Sequence, residues 1–258
     1  MNRIISTFNS LKADGRKAFV GYLTAGDPDL HRSLSDICTA LSEGVDILEL
    51  GIPFSDPTAD GPIIQEASQR ALKAGINIPK ILQMVEKIRE KFPSHPIVLF
   101  GYANPIFRYG YATLCRHASK LGVDGLLIVD IPFEEYDEIL HEVRKNNLLL
   151  IPLIAPTTPE KRAVMILKNA EGFVYYISVT GVTGMRKHLD TQVEKHVYAL
   201  RRITHLPIVV GFGISSARQA SAVARYADGI VVGSALIQSA REGTLKTFVR
   251  ELRRALDQ

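Results

Sequence analysis

Two carboxylates stand out by where they sit. Glu49 is flanked by Ile47, Leu48 and Leu50 in a short apolar run, and Asp60 closes the proline-punctuated loop that follows it. An ionised carboxylate inside apolar surroundings is costly, so Glu49 must be paired with a cation, protonated, or turned toward a wet cavity. In the last two cases it is an acid/base group whose pKa is raised by its setting. Asp60 precedes Gly61-Pro62-Ile63-Ile64, so by pattern it is also a plausible helix N-cap with proline in the first turn. Asp56, just before Pro57, reads as a turn residue or a partner contact.

A second pattern suits anions. The segments Gly211-Phe212-Gly213-Ile214-Ser215-Ser216 and Gly233-Ser234-Ala235 each place small residues at the end of an apolar run and before a helical stretch. Free backbone N–H groups and the positive end of a helix dipole hold a phosphate there without any lysine. The loop from Ser178 to Asp190 is long and glycine-bearing, as active-site lids often are. Its Arg186, Lys187 and His188 are phosphate ligands or the solvated tip of that lid.

The elements that must position these groups recur along the chain. Apolar, often β-branched runs at 18–22, 46–50, 96–100, 125–129, 148–152, 173–177, 207–210 and 228–232 read as strands buried on both faces. Between them the apolar period changes to 3.6. Leu30, Leu34, Ile37 and Leu41 share one helix face, as do Ile81, Val85, Ile88 and Phe92, and Leu245, Phe248, Val249, Leu252 and Leu256 mark a closing helix. Eight strands alternating with helices over 258 residues predict a single α/β domain, residues 1–258, built as a (β/α)8 TIM barrel. It carries an extra N-terminal helix and an extra helix after strand 2. An open doubly wound sheet is the rival, but no GxGxxG follows the first strand. In a barrel the chemistry belongs to loops at the C-terminal strand ends, where Glu49, Asp60 and both glycine loops fall.

Bulk properties exclude several other classes. Hydrophobic residues make up 46% and charged residues 22%, an ordinary globular balance. The net charge of +4 (31 basic, 27 acidic) is scattered rather than gathered into a nucleic-acid stripe. Cys38 and Cys115 lack neighbours at metal-ligand spacing and read as buried thiols of a reducing compartment. No apolar stretch reaches the roughly 18 residues of a membrane span, and the start has no signal-peptide core, so a cytoplasmic protein is expected.

Taken together the motifs are those of a known family. GYLTAGDP from Gly21, LELGIPFSDPTADGPIIQ from Leu48 to Gln65, GVTG from Gly181, GFGIS from Gly211 and GSA from Gly233 occur in this order. The chain resembles the tryptophan synthase alpha chain family over essentially its whole length. That resemblance implies a barrel lyase that reversibly cleaves indole-3-glycerol phosphate to indole and glyceraldehyde 3-phosphate in tryptophan biosynthesis. It also implies Glu49 and Asp60 as the catalytic pair, with Tyr175 lining the pocket. Tyr22, Phe100, Leu127 and Phe212 would surround the indole, Thr183 would orient Asp60, and Gly184, Gly213, Gly233 and Ser234 would hold the phosphate. Position 22 carries Tyr where Phe is frequent, so its hydroxyl needs a partner. The implied partner is a beta chain carrying pyridoxal phosphate, in an alpha2beta2 assembly. No cofactor or metal is expected on this chain, and the loop with Pro53, Asp56 and Pro57 would face the partner. Two other readings stay open on sequence: a different phosphate-binding barrel with other acid/base pairs, and a weakly catalytic scaffold.

Overall fold

The computed structural model describes residues 1–177, 186–211 and 213–258, with residues 186–191 described by backbone alone. Its strands are β1 (Ala18–Thr24), β2 (Ile47–Gly51), β3 (Ile97–Gly101), β4 (Gly125–Ile128), β5 (Leu149–Leu150), β6 (Leu153–Ile154), β7 (Val174–Ile177), β8 (Ile208–Gly211) and β9 (Gly229–Val232). All the pairings are parallel, in the order β5-β4-β3-β2-β1-β9-β8-β7-β6. The ends of that order are the two halves of one stave. The expected fifth strand, 148–152, is broken, because Pro152 has no N–H to give to a ladder. The break does not open the ring. Ile151 N–H donates to Leu126 O at 2.9 Å on one side, and Pro152 O accepts from Tyr175 N–H at 3.0 Å on the other. The sheet therefore closes as an eight-stave barrel, and the open-sheet alternative is excluded.

The helices follow the expected plan with small differences. Arg3–Ala13 is the extra N-terminal helix, and Pro62–Lys73 with Ile78–Lys91 are the two between β2 and β3. A second doubled crossover, Ala103–Tyr109 and Tyr111–Leu121, links β3 to β4 and is absent from the sequence expectation. The stripes pack as predicted at Ile37 and Leu41, at Ile81, Val85 and Ile88, and at Leu245, Val249, Leu252 and Leu256. Leu30 departs from its stripe and is 37% exposed. It opens the helix Leu30–Glu43 at the barrel rim, beyond the end of β1. Cys115 is buried, and burial pushes its thiol up to about 11, whereas Cys38 is only half-buried. Among the described residues no helix is long and apolar enough to cross a membrane.

At the N-terminal ends of the strands the barrel is tied by one device used three times. Asp46, Asp124 and Asp228, just ahead of β2, β4 and β9, accept N–H bonds from Phe19 (2.8 Å), Ile97 (2.9 Å) and Ile208 (2.8 Å) on the neighbouring strands. Each also takes an arginine: Arg253 at 2.8 Å, Arg89 at 3.2 Å with Arg3 at 2.8 Å, and Arg201 at 2.9 Å. A carboxylate at that point satisfies a strand amide and a guanidinium together, which is how buried charge is tolerated.

Candidate active site

Register and ring contacts establish which side chains enter the barrel. Tyr22 on β1 lies edge-on to Phe100 on β3, ring centroids 5.0 Å apart, although β2 stands between their strands. Two side chains can meet past an intervening strand only across the interior. Glu49 is in register with Tyr22, and Leu127 with Phe100, so both share that inward face. Tyr175 stands on β7, across the ring from β2, with its hydroxyl beside Gly211, and burial first, then proximity to Glu49 and Asp60, holds that hydroxyl well above the usual range. Glu49, Tyr22, Phe100, Leu127 and Tyr175 thus all face the barrel interior.

Two glycines make room for the tyrosines. A Cβ on Gly51 would stand 2.3 Å from the Tyr22 hydroxyl, and one on Gly211 would stand 2.6 Å from the Tyr175 hydroxyl. The motif Glu49-Leu50-Gly51 therefore places the acid and leaves a slot for the phenol one layer above it. The Tyr22 hydroxyl has Thr24 Oγ1 at 3.4 Å, and burial, then Asp60 and Glu49, push its pKa upward.

Glu49 is fully buried, and neither carboxylate oxygen has a hydrogen-bond partner among the described residues. Burial alone pushes its pKa up to about 8, so it enters neutral pH carrying a proton. Asp60 has a different environment. It is not the helix cap: Gly61 caps the helix Pro62–Lys73, with no side-chain bond, and Pro62 opens it. The Asp60 carboxylate instead accepts the Tyr102 O–H at 2.9 Å. Burial lifts it to about 6 while the Tyr102 hydroxyl holds it down, so at pH 7 it is mostly ionised. One neutral acid and one anion share the mouth of the barrel, the arrangement from which acid/base roles follow.

Tyr102 is the residue the sequence reading missed. Its signal was its position, two residues past Phe100 and immediately after β3, in the layer where barrel chemistry is found.

The glycine loops also separate in the structure. Ser216 caps the helix Ala217–Ala224, its side chain accepting the Gln219 N–H. The helix Ser234–Arg241 starts at Gly233 with no side-chain cap, which leaves its first-turn amides available to an anion. Gly213, just past β8, has φ +75, a left-handed conformation that favours glycine. The side of the Tyr22 ring lies 3.4 Å from the place of a Cβ on Gly233, so this end adjoins the ring that stands in register with Glu49. Thr183, Gly184 and Phe212 lie outside the described residues, as do the side chains of Arg186, Lys187 and His188.

The comparisons agree with this fold. The family model described as "Tryptophan synthase alpha chain" matches residues 8–255. The tryptophan synthase alpha chain of Thermoanaerobacter sp. (strain X514) is 46% identical over 99% of this chain and 100% of its own length. That of Geobacter sulfurreducens is 47% identical over 99% of each. Tryptophan synthase subunit alpha from Legionella pneumophila superposes with a TM-score of 0.92 at 38% identity, covering 100% of this chain and 99% of that one. A chain of Mycobacterium tuberculosis tryptophan synthase gives 0.92 at 33% identity, with 100% and 99% covered. A family match over nearly the whole chain removes the other phosphate-binding barrels and the inert scaffold from consideration. The chain belongs to the tryptophan synthase alpha chain family and is the lyase of the alpha reaction in tryptophan biosynthesis, the reversible cleavage of indole-3-glycerol phosphate to indole and glyceraldehyde 3-phosphate.

Proposed function

We propose that Glu49 carries the proton transfers of this cleavage and that Asp60 stabilises the charge that develops on the indole nitrogen. The observation that supports this is the uncompensated burial of Glu49, which keeps a proton on an inward-facing carboxyl group at neutral pH.

Direct rupture of the bond from indole C3 to the glycerol carbon would leave a carbanion. Glu49 first donates its proton to C3, giving an indolenine whose N1 is a cationic iminium. The Asp60 carboxylate, ionised at pH 7, faces N1–H and lowers the energy of that cation. Glu49, now a carboxylate, takes the proton from the hydroxyl on the adjoining carbon. The O–H electrons form the aldehyde carbonyl, the C–C electrons return to the ring, and indole and glyceraldehyde 3-phosphate result. Glu49 ends protonated, as it began. A positioned proton transfer contributes roughly 10²–10⁴-fold, and a fixed charge in a dry site a comparable factor.

In this scheme the phosphate sits on backbone amides at Gly184, Gly213, Gly233 and Ser234. The indole packs among Tyr22, Phe100, Leu127 and Phe212, Tyr175 lines the wall, and Thr183 orients Asp60 from the lid. The chain acts as one barrel domain, residues 1–258, in the cytoplasm, binding neither nucleic acid nor membrane and carrying no cofactor or metal of its own. Its partner is a beta chain with pyridoxal phosphate, in an alpha2beta2 complex. A surface groove of about 470 Å³ suits the docking, lined by Pro53, Phe54, Asp56, Asn104 and Tyr109 among others. It runs along the same loop that delivers Asp60.

The test is to mix the purified protein with indole-3-glycerol phosphate and measure indole, for the native chain and for Glu49→Gln. Native turnover with a loss of about 10³-fold in the variant is expected, with substrate binding retained. Substantial cleavage by a substrate-binding Glu49→Gln protein removes Glu49 from its role. An unchanged rate on adding a matching beta chain removes the docking proposal.

A further inference from the structure

Asp60 sits in a segment with little structure of its own. Between β2 and the helix Pro62–Lys73 the chain forms neither strand nor helix, and its internal backbone bonds are two turns, Thr58 N–H to Asp56 O and Asp60 N–H to Pro57 O. Nothing in such a loop fixes a carboxylate to the tolerance that catalysis needs. Tyr102 supplies that constraint from outside. It follows directly on β3, a rigid stave, and is 2% exposed.

Its phenol oxygen makes two bonds at once. The O–H donates to Asp60 Oδ2 at 2.9 Å, and the oxygen accepts the Ala59 N–H at 3.0 Å. Carboxylate and adjoining backbone are therefore held by the same atom. The Tyr102 ring also packs on Phe54, centroids 5.3 Å apart, so both ends of the loop meet on one side chain.

From this juxtaposition we infer that Tyr102 is the positioning residue for Asp60: its hydroxyl fixes the direction of the carboxylate and supplies that group's hydrogen bond from the barrel wall. The inference rests on the role given above to Asp60. It differs from a packing role, since a phenylalanine would keep the Phe54 contact and lose only the hydroxyl. Besides Tyr102, the titratable groups coupled to Asp60 are Tyr22 on β1 and Tyr175 on β7, both of which also feel Glu49 on β2, and Asp130 lies within electrostatic reach of Tyr102. The Tyr102 O–H is the group that opposes the upward push that burial gives Asp60.

Tyr102→Phe tests this by two measurements. Carboxyl NMR of the ligand-free protein, with 13C-labelled aspartate, follows the titration of Asp60 directly. Steady-state cleavage of indole-3-glycerol phosphate from pH 5 to 9 follows its consequence. The Asp60 midpoint should rise by roughly one unit, since a hydrogen bond to the charged form is lost. In parallel kcat should fall by about 10-fold with KM within about 3-fold, and the acidic limb should move up in pH. In an Asp60→Asn background Tyr102→Phe should add less than about 2-fold. An unmoved Asp60 midpoint overturns the inference, as does an equal loss in both backgrounds. If Asp60→Asn alone keeps native turnover, the role of Asp60 falls instead. The NMR titration still decides whether Tyr102 governs that carboxylate.

Discussion

Asp46, just ahead of β2, and Glu49, midway along it, stand three residues apart and have opposite environments. At the floor, Asp46 accepts the Phe19 N–H and pairs with Arg253, a charge that is itself almost buried. At the mouth, Glu49 is more deeply buried and has no partner at all among the described residues. Burial raises both groups, but at Asp46 the amide and the guanidinium hold the rise in check, while Glu49 climbs to about 8. The floor spends its carboxylates on holding staves together and repeats the device at Asp124 and Asp228. The mouth leaves one carboxylate uncompensated, at a cost in stability, and so retains a movable proton. Compensation separates an acid that ties staves together from one that keeps its proton at neutral pH, where burial by itself does not.

The contrast can be broken most sharply at Glu49. Glu49→Gln should lose about 10³-fold in kcat and yet gain stability. Between pH about 4.5 and about 8 the folded protein keeps a proton on Glu49 that the unfolded chain has shed, so native stability falls as pH rises through that window. By pH 7 the deficit is on the order of 3 kcal/mol, part of which the buried amide of the variant returns. The melting-temperature gap, variant minus native, should widen from pH 5 to pH 8. A flat gap, or a less stable variant, would mean that Glu49 is compensated after all.

The reciprocal change is Asp124→Asn at the floor. It leaves Arg89 without its anion and should cost about 3–5 kcal/mol in denaturant unfolding, with kcat unchanged well below the melting point. A loss of turnover in the folded variant would erase the division between the two ends.

At the mouth, the proposed roles require Glu49 protonated and Asp60 ionised. The pH profile of kcat/KM should be a bell with limbs near 6 and near 8, and Asp60→Asn should remove the lower limb along with roughly 10²-fold of the rate. Persistence of that limb in the variant would assign it to another group. The smallest effect concerns space. Gly51→Ala drives a methyl into the Tyr22 ring and should lower kcat/KM by about 10-fold, a strain of 1–3 kcal/mol, while unfolding shows the same order of loss. Native kinetics in Gly51→Ala would show that the tyrosine slot has no part in catalysis.

Much of this was legible in one dimension, for reasons that are local. The staves are continuous apolar runs because they are buried on both faces, and helix stripes show at period 3.6. Glu49 announced itself as a charge inside such a run. Asp60 was ambiguous, because a carboxylate before Gly-Pro looks the same whether it caps a helix or turns away. Only Tyr102, 42 residues distant, shows that it turns away. Tyr102 itself passed unnoticed because a tyrosine after a strand is unremarkable until its hydroxyl has a partner. Leu30 failed its stripe because periodicity assigns a face without saying how far the sheet extends behind it.

By itself the sequence determined the order of staves and helices, the apolar faces, the carboxylate stranded in β2 and the glycines that free the helix at Gly233. These depend on residue type and spacing within a few positions. The tertiary structure decided which charges found partners. Asp124 gained Arg3 and Arg89, Asp60 gained Tyr102, and Glu49 gained none among the described residues, all through contacts or gaps between segments distant in the chain. Whether a buried carboxylate ties a barrel together or moves a proton depends on its solvation and neighbours, and those exist only once the ring has closed.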